Sequence, residues 1–220
     1  MLHLSHQPED RVAELTRLAE ERDAETAGHL DRVCAYSRIL AGHLAADRRY
    51  GRTIDDAFVD RLGRAAALHD VGKADVPDVI LLKPAPLTPI EASVMRRHTT
   101  LGARTLERSL ADHPDPAFRD LAVEIAETHH ERWDGRGYPL GLRGTDIPLG
   151  GRIVALADVY DALTSKRAYK EAFPHAEARK TILAGRGGHF DPAVVDAFAA
   201  GEQAFVRAAA AYADRASKAA

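Results

Sequence analysis

Apolar residues along the chain recur mostly at helical spacing. The first long stretch carries them at Val12, Leu15, Leu18, Val33, Tyr36 and Leu40. This spacing predicts one long helix from about Glu9 to Ala46. No stretch alternates apolar and polar residues in the way a half-buried strand does, and no internal repeat is visible. The pattern therefore predicts an all-α protein.

Further helices are marked by their start and stop signals. Thr88-Pro89-Ile90-Glu91 has the form of a capping box with proline at the first helical position, which predicts a helix from Thr88 to about Ser109. Asp191-Pro192 predicts the start of a last helix that reaches about Tyr212. The stretch from Asp134 to Gly151 contains six glycines and two prolines, which predicts a loop. Four other helices are predicted at about Asp55–His69, Ala117–His130, Arg152–Thr164 and Ala176–Ala184.

The first turns of the chain are strongly charged between Glu9 and Asp23. They suit a signalling or dimer linker and an ordinary surface helix equally well. Near-heptad spacing of the apolar residues within them suggests a homodimer formed through this helix. We therefore predict a linker helix segment at 1–23, one globular domain at 24–214 and a C-terminal tail at 215–220.

Composition limits the class of protein. The 220 residues carry a formal charge of −3, so the chain lacks the overall basic field that binding to long nucleic acids favours. The single cysteine, Cys34, allows no disulfide within the chain. No apolar run approaches the length of a membrane span, and the N-terminus lacks a secretory signature. We expect a cytoplasmic protein that does not bind membranes.

Histidines and carboxylates form an unusual constellation. Glu25 and His29 lie four residues apart on one predicted helix face. Asp158 lies in the middle of a predicted helix among apolar neighbours, where a carboxylate is costly unless it is paired or bound to metal. Taken together, eight residues from five helices form a candidate metal site: Glu25, His29, His69, Asp70, His98, His129, His130 and Asp158.

The ligand types indicate the chemistry. Five imidazoles, three carboxylates and no thiolate suit iron or manganese better than a closed structural zinc site. A carboxylate such as Asp70 can bridge two metals, and a water held between two metals becomes a hydroxide nucleophile at neutral pH. Any one of these histidines alone is most simply a packed or exposed residue. The same simple interpretation is kept for the histidines outside the set: His3, His6, His43, His113, His175 and His189.

Several blocks of sequence resemble the HD-GYP family of HD-domain phosphohydrolases. The matching blocks begin with residues 25–33, from Glu25 to Val33, and continue with Leu68-His69-Asp70-Val71-Gly72-Lys73 and His98-Thr99-Thr100-Leu101-Gly102. The most specific block runs from His129-His130-Glu131 to Gly137-Tyr138-Pro139 and is followed by the helix that carries Asp158. The resemblance extends over residues 25–198.

The resemblance implies an all-α HD-domain helical bundle with two or three metal ions, iron or manganese. It implies hydrolysis of cyclic di-GMP to pGpG or GMP by a metal-activated hydroxide. The eight residues of the constellation would be the metal ligands, and Glu25 favours the fuller, trinuclear form. Asp70 and Lys73 would be the catalytic residues, with Lys73 in contact with the scissile phosphate.

The same resemblance implies substrate-binding roles outside the metal site. Arg167 and Lys170 match positions that hold phosphates or bases, although a solvated basic loop explains them about as well. Tyr138 would rim the site, where it either stacks on a guanine or only packs. The Gly-Tyr-Pro loop is associated in the family with docking of diguanylate cyclase (GGDEF) domains. Asp161 is expected to be structural, through pairing with Arg167 or through capping.

Two other functions remain open from the sequence. The first is a phosphodiesterase for a hybrid cyclic dinucleotide, cyclic GMP-AMP, because the Gly-Tyr-Pro block does not distinguish the two substrates. The second is a module that binds cyclic di-GMP, or a cyclase partner, without hydrolysis. The complete ligand set argues against this second alternative.

Overall fold

The computed structural model describes residues 8–22, 28–166 and 171–219. In these ranges the chain is predominantly helical and contains no β-strand, which confirms the all-α prediction. The α-helices in chain order are α1 Pro8–Arg22, α2 His29–Ala45, α3 Asp56–Ala66, α4 Asp78–Leu81, α5 Pro89–Arg96, α6 His98–Ser109, α7 Pro116–Thr128, α8 Leu149–Thr164, α9 His175–Ala184 and α10 Pro192–Ala219. Two short 3-10 helices lie at Val71–Asp75 and Gly144–Asp146.

The predicted helix starts are confirmed where a side chain caps the backbone. The Thr88 hydroxyl accepts from the Glu91 amide, and the Glu91 carboxylate accepts from the Thr88 amide, so the capping box is complete. Asp115 caps α7 by accepting from the Phe118 amide at 3.2 Å. Asp191 likewise accepts from the backbone amide of Ala193 at 2.8 Å at the start of α10. These caps satisfy amides that have no partner within the helix.

The aromatic part of the core lies between α2, α8 and α10. The Tyr36 ring stacks on Phe205 with centroids 4.8 Å apart and meets Tyr160 edge-on at 5.1 Å. Both tyrosines and Phe205 are buried. Because α8 also carries Asp158, this aromatic packing fixes the helix that supplies one carboxylate of the candidate metal site.

The described residues do not form one continuous helix from Glu9 to Ala46. Gly28 precedes α2 with φ +79°, a left-handed conformation that no residue inside an α-helix adopts. Leu15 and Ala19 of α1 are buried in the core of this same chain, and Val12 and Leu18 pack against it. The apolar stripe that suggested a homodimer is therefore largely used within the chain, and the homodimer stays a prediction, as does the domain division.

The predicted helix from Thr88 to Ser109 is divided at Arg97. The hydroxyls of Thr99 and Thr100 donate to the carbonyls of Arg96 and Arg97, and such side-chain bonds compete with regular helix geometry. Helix α5 buries none of its residues, whereas α6 buries one face against the rest of the bundle. Packing against the bundle therefore sets the direction of α6 but not that of α5. Within the described ranges, no helix combines the length and the apolarity that crossing a bilayer requires.

Candidate metal centre

Seven of the eight predicted ligands come together, although they lie as far apart in the chain as positions 29 and 158. They form two groups, and within each group the ligand atoms all lie within 4.8 Å of one another. The first group is Asp70, His98, His129 and His130, and the second is His29, His69 and Asp158. The eighth residue, Glu25, lies outside the described residues.

Asp70 joins the two groups. Its Oδ1 lies 3.2 Å from Nε2 of His98 and 3.6 Å from Nε2 of His129, both in the first group. Its Oδ2 lies 3.3 Å from Nε2 of His69, in the second group. The carboxylate is buried, and it is placed where a group shared between two cations would have to lie.

A close helix contact holds Asp70 near His98. Gly72 in the 3-10 helix packs directly on Gly102 of α6, and a Cβ on Gly72 would overlap the His98 carbonyl and the Gly102 backbone. Only glycine at position 72 permits this approach. The two glycines therefore set the distance between the Asp70 segment and the first residue of α6.

Backbone carbonyls fix the ring orientation of three histidines. The Nδ1 atom lies 2.8 Å from the Ala66 carbonyl in His69 and 2.9 Å from the Met95 carbonyl in His98. In His129 it lies 3.0 Å from the Ile125 carbonyl. A carbonyl can only accept, so Nδ1 carries a proton in each ring and Nε2 is the atom that faces the cluster. Metal-bound histidines are held in this way.

Several buried polar atoms of the site have no hydrogen-bond partner among the described residues. The Nε2 atoms of His69, His98 and His129 and the Oδ1 atom of Asp70 are buried and have no hydrogen-bond partner in the described part of the chain. Buried polar atoms are normally satisfied, and a group of unsatisfied ones is costly. Three such ring nitrogens and one oxygen of the carboxylate between them match the donor set of a divalent metal site.

The electrostatics favour a cation at this place. Burial alone would raise the pKa of Asp70, but the charges of Lys73 and His69 hold it well below its usual value. Burial opposes protonation of His69, but the Asp70 carboxylate raises its pKa to about 10. Burial lowers the pKa of His129 and, far more strongly, that of His130, so both are neutral imidazoles able to donate a lone pair.

Lys73 lies beside the buried carboxylate of Asp70. Its Nζ is 2.6 Å from Oδ2 of Asp70, and 14% of the side-chain surface is exposed. The 3-10 helix Val71–Asp75 produces this contact because residues three apart lie on one side of it. The ammonium therefore stands at the edge of the buried cluster.

Asp161, which the sequence predicts to be structural, has partners that the sequence interpretation did not name. It is buried, and its Oδ2 accepts from Nδ1 of His29 at 2.8 Å, while Oδ1 accepts from Nε of Arg32 at 2.6 Å. It does not act as a helix cap, and Arg167, its other expected partner, lies outside the described residues. Its place three residues after Asp158, on the same face of α8, was the available signal.

The Gly-Tyr-Pro loop rims the cluster, as predicted. The Tyr138 ring packs on His130 with centroids 4.8 Å apart, and its amide donates to the His130 carbonyl at 3.2 Å. Buried Glu131 shapes this loop by accepting from the amides of Leu140 and Gly141. Arg96 lies over the Tyr138 ring, 5.2 Å from its centroid. Both predicted basic substrate contacts, Arg167 and Lys170, lie outside the described residues.

Comparison with known proteins identifies the family. The profile of the HD domain family matches residues 15–194. A cyclic di-GMP phosphodiesterase of Vibrio cholerae is 49% identical over 205 residues, 93% of this chain and 42% of that protein. A 3'3'-cGAMP-specific phosphodiesterase 2 of the same organism is 41% identical over 196 residues, 89% of this chain and 35% of that protein.

The fold has a counterpart among solved structures. An HDG"Y"P protein, Bd1817 from Bdellovibrio bacteriovorus, superposes with a TM-score of 0.56 at 19% identity, over 89% of this chain and 72% of that one. This chain spans less than half the length of the two Vibrio relatives. The chain therefore belongs to the HD domain family, and its resemblance to the HD-GYP branch is confirmed.

Proposed function

We propose that this chain is a metal-dependent phosphodiesterase that hydrolyses cyclic di-GMP to pGpG, GMP or both. The observation that carries the proposal is the pair of ligand groups joined by the buried carboxylate of Asp70. The 49% identical relative, which is a cyclic di-GMP phosphodiesterase, supports the choice of substrate.

The two groups are proposed to hold two divalent ions. Glu25 is the candidate ligand for a third. Imidazole and carboxylate donors without thiolate favour iron or manganese. Metals held there would supply a water of lowered pKa and would neutralise charge on the phosphoryl oxygens. The nearly complete burial of His69, Asp70, His98 and His129 keeps bulk water away from the bottom of the site.

The remaining predicted residues would bind the substrate. Lys73 presents its ammonium at the edge of the cluster, beside Asp70, where it can pair with the scissile phosphate. Tyr138 forms part of the rim beside His130, where it is proposed to contact the dinucleotide. Arg167 and Lys170 are proposed to hold phosphates or bases of the dinucleotide.

A hybrid cyclic dinucleotide is the second candidate substrate. The 41% identical relative is specific for 3'3'-cGAMP, and its alignment covers 89% of this chain. Both substrates carry two phosphodiesters and differ only in one purine. The metal cluster does not distinguish them, so any preference belongs to residues at the rim.

Partners and location are proposed on sequence grounds alone. The Gly-Tyr-Pro loop is the proposed docking element for diguanylate cyclase (GGDEF) domains. A homodimer and a cytoplasmic location stay predictions, and binding without turnover remains the alternative to catalysis.

The test is anaerobic purification with iron or manganese, followed by metal analysis and turnover assays on the same sample. We expect two or more ions per chain and a pGpG or GMP product, with cyclic di-GMP hydrolysed faster than cyclic GMP-AMP. Faster hydrolysis of cyclic GMP-AMP would make the hybrid dinucleotide the preferred substrate and cyclic di-GMP the second candidate. Bound metal with no product from either dinucleotide would favour the binding module.

A matched pair of variants locates the chemistry. Asp70→Ala should lose metal and turnover, whereas Asp75→Ala, at the exposed end of the same 3-10 helix, should keep both. Full metal content and full turnover in Asp70→Ala would contradict the proposed mechanism.

A further inference from the structure

Arg96 lies at the rim of the metal centre although no predicted motif includes it. It is in the last turn of α5, two residues before His98, and its guanidinium lies over the Tyr138 ring at 5.2 Å. Tyr138 in turn packs against the metal centre, because its ring centroid lies 4.8 Å from that of His130. These two distances place the guanidinium carbon within about 10 Å of His130.

The charge of Arg96 is not neutralised by the described part of the chain. Two other basic groups of this region have acidic partners: Lys73 pairs with Asp70 at 2.6 Å, and Arg132 pairs with Asp134 at 2.9 Å. Arg96 is exposed, and among the described residues its side chain contacts the Tyr138 ring but no carboxylate. A fixed cation without a counter-charge at the rim of a site for an anion favours binding of that anion.

The contact with the ring leaves the N–H donors of the guanidinium available. A cation held over an aromatic ring is restricted in position, which lowers the entropy cost of binding. Among the described residues the Arg96 side chain has no carboxylate partner, so its N–H donors can make a bidentate contact with phosphate oxygens. A cyclic dinucleotide carries two phosphodiesters, and only one of them can be at the metals during hydrolysis.

We propose that Arg96, oriented by Tyr138, binds the phosphodiester of the cyclic dinucleotide that is not being cleaved. This inference rests on the proposed function and adds to it a residue that determines affinity for the whole dinucleotide. Arg96 acts on substrate binding, whereas the metal cluster and Lys73 act on the scissile phosphate.

Arg97 offers a matched control. It is the next residue, carries the same charge and is exposed, but it lines a different surface depression with Asp75, Val76 and Leu101. Removal of either arginine changes the net charge equally. A difference between the two variants therefore reports position rather than overall charge.

The experiment compares wild type, Arg96→Ala, Arg96→Lys and Arg97→Ala, all metal-loaded, on two substrates. Cyclic di-GMP has the second phosphodiester, whereas bis(p-nitrophenyl) phosphate has only one. We expect Arg96→Ala to raise KM for cyclic di-GMP about tenfold or more, with kcat within about twofold, because a charge-assisted contact is lost. Its kcat/KM for the single phosphodiester should match that of the wild type.

The controls sharpen the interpretation. Arg96→Lys should give an intermediate KM because it keeps the charge but loses the bidentate edge, and Arg97→Ala should behave as the wild type on both substrates. Equal KM values in Arg96→Ala and Arg97→Ala would overturn the inference. So would an equal loss on both substrates, or a loss of metal in Arg96→Ala, since either would mean that Arg96 only supports Tyr138 and the cluster.

The proposed function fails in a different way. A metal-loaded wild type that leaves cyclic di-GMP intact would contradict the function, and the role of Arg96 in binding that substrate would fall with it. Normal wild-type turnover with unchanged KM in Arg96→Ala would contradict the Arg96 inference alone.

Discussion

Oδ2 of Asp161 accepts a hydrogen bond from Nδ1 of His29 at 2.8 Å, across 132 positions of sequence. The bond directs Nε2 of His29 towards Asp158, whose Oδ1 lies 3.9 Å away. A carboxylate behind an imidazole fixes its tautomer and raises its basicity towards a metal. The same Asp161 carboxylate also neutralises buried Arg32. One side chain therefore orients a candidate ligand and balances a buried charge.

Asp161→Asn should lower affinity for Mn²⁺ about 10- to 100-fold, because the carboxylate behind His29 is lost. It should also lower the free energy of unfolding by about 1–3 kcal/mol, because Arg32 loses the charged acceptor of its hydrogen bonds to Asp161. Metal titration and urea unfolding measure the two effects. Arg32→Met separates them: it should lower stability while keeping most of the metal affinity. Wild-type affinity in Asp161→Asn would contradict the positioning role.

Removing metal should lower the melting temperature. An ion at 100 times its Kd stabilises the folded chain by about 2.7 kcal/mol, which corresponds to roughly 5–10 °C at this size. Scanning calorimetry with Mn²⁺ and with a chelator measures the difference. His98→Ala should lose most of this response, whereas His113→Ala, a buried histidine outside the cluster, should retain it. The same Tm in both solutions would contradict the metal assignment.

Gly72→Ala should disrupt the candidate site. The added methyl group would overlap the His98 carbonyl and the Gly102 backbone, so the Asp70 segment and α6 must move apart. We expect metal content to fall at least severalfold and stability to fall by about 1–3 kcal/mol. Gly42→Ala on α2 is the control, because a Cβ there meets nothing within 4 Å. It should be neutral or stabilising by up to about 1 kcal/mol.

Cys34 should react slowly in the folded protein. Burial raises the pKa of its thiol to about 12, so at pH 8 roughly one molecule in ten thousand carries the reactive thiolate. Alkylation by iodoacetamide should be about a thousandfold slower than in urea-unfolded chain, where the thiol has an ordinary pKa. Because Cys34 is the single cysteine, mass spectrometry reads the rate directly. Equal rates in the two states would show that the thiol is accessible and unperturbed.

The capping box of α5 should make stability depend on pH. Hydrogen bonds from Lys83 and Thr88 lower the pKa of Glu91 from 4.5 to about 2. The stabilisation is therefore fully present above about pH 4.5 and is lost as the pH falls towards 2. Glu91→Gln should have a lower urea midpoint than wild type at pH 7, and the two midpoints should converge near pH 2.

Glu107→Gln is the control for this pH effect. Glu107 is exposed on α6 and makes no ion pair among the described residues. Its substitution should leave the pH dependence of the urea midpoint unchanged. A constant difference between wild type and Glu91→Gln from pH 7 to pH 2 would contradict the assignment to Glu91.

Local sequence determined the helix starts and the residue types of the site. The capping box at Thr88 and the Asp191 cap depend on bonds within a few residues, so a short window of sequence contains all the information needed. The acid and histidine set was visible because clustered ligand types are unusual in helices. The all-α class followed from the helical spacing of apolar residues, which is also a local property of the sequence.

Tertiary structure decided how these parts are arranged. The division at Arg97 arises because α6 packs into the bundle and α5 does not, which no helix propensity reveals. The place of Asp70 between two ligand groups depends on the contact of Gly72 with Gly102, thirty positions apart. The roles of Asp161 and Arg96 arise from partners on other elements, His29 and Tyr138. Sequence alone thus determined which chemical groups this protein has, and packing between distant segments determined which of them meet, because side-chain contacts across helices depend on positions that no local pattern encodes.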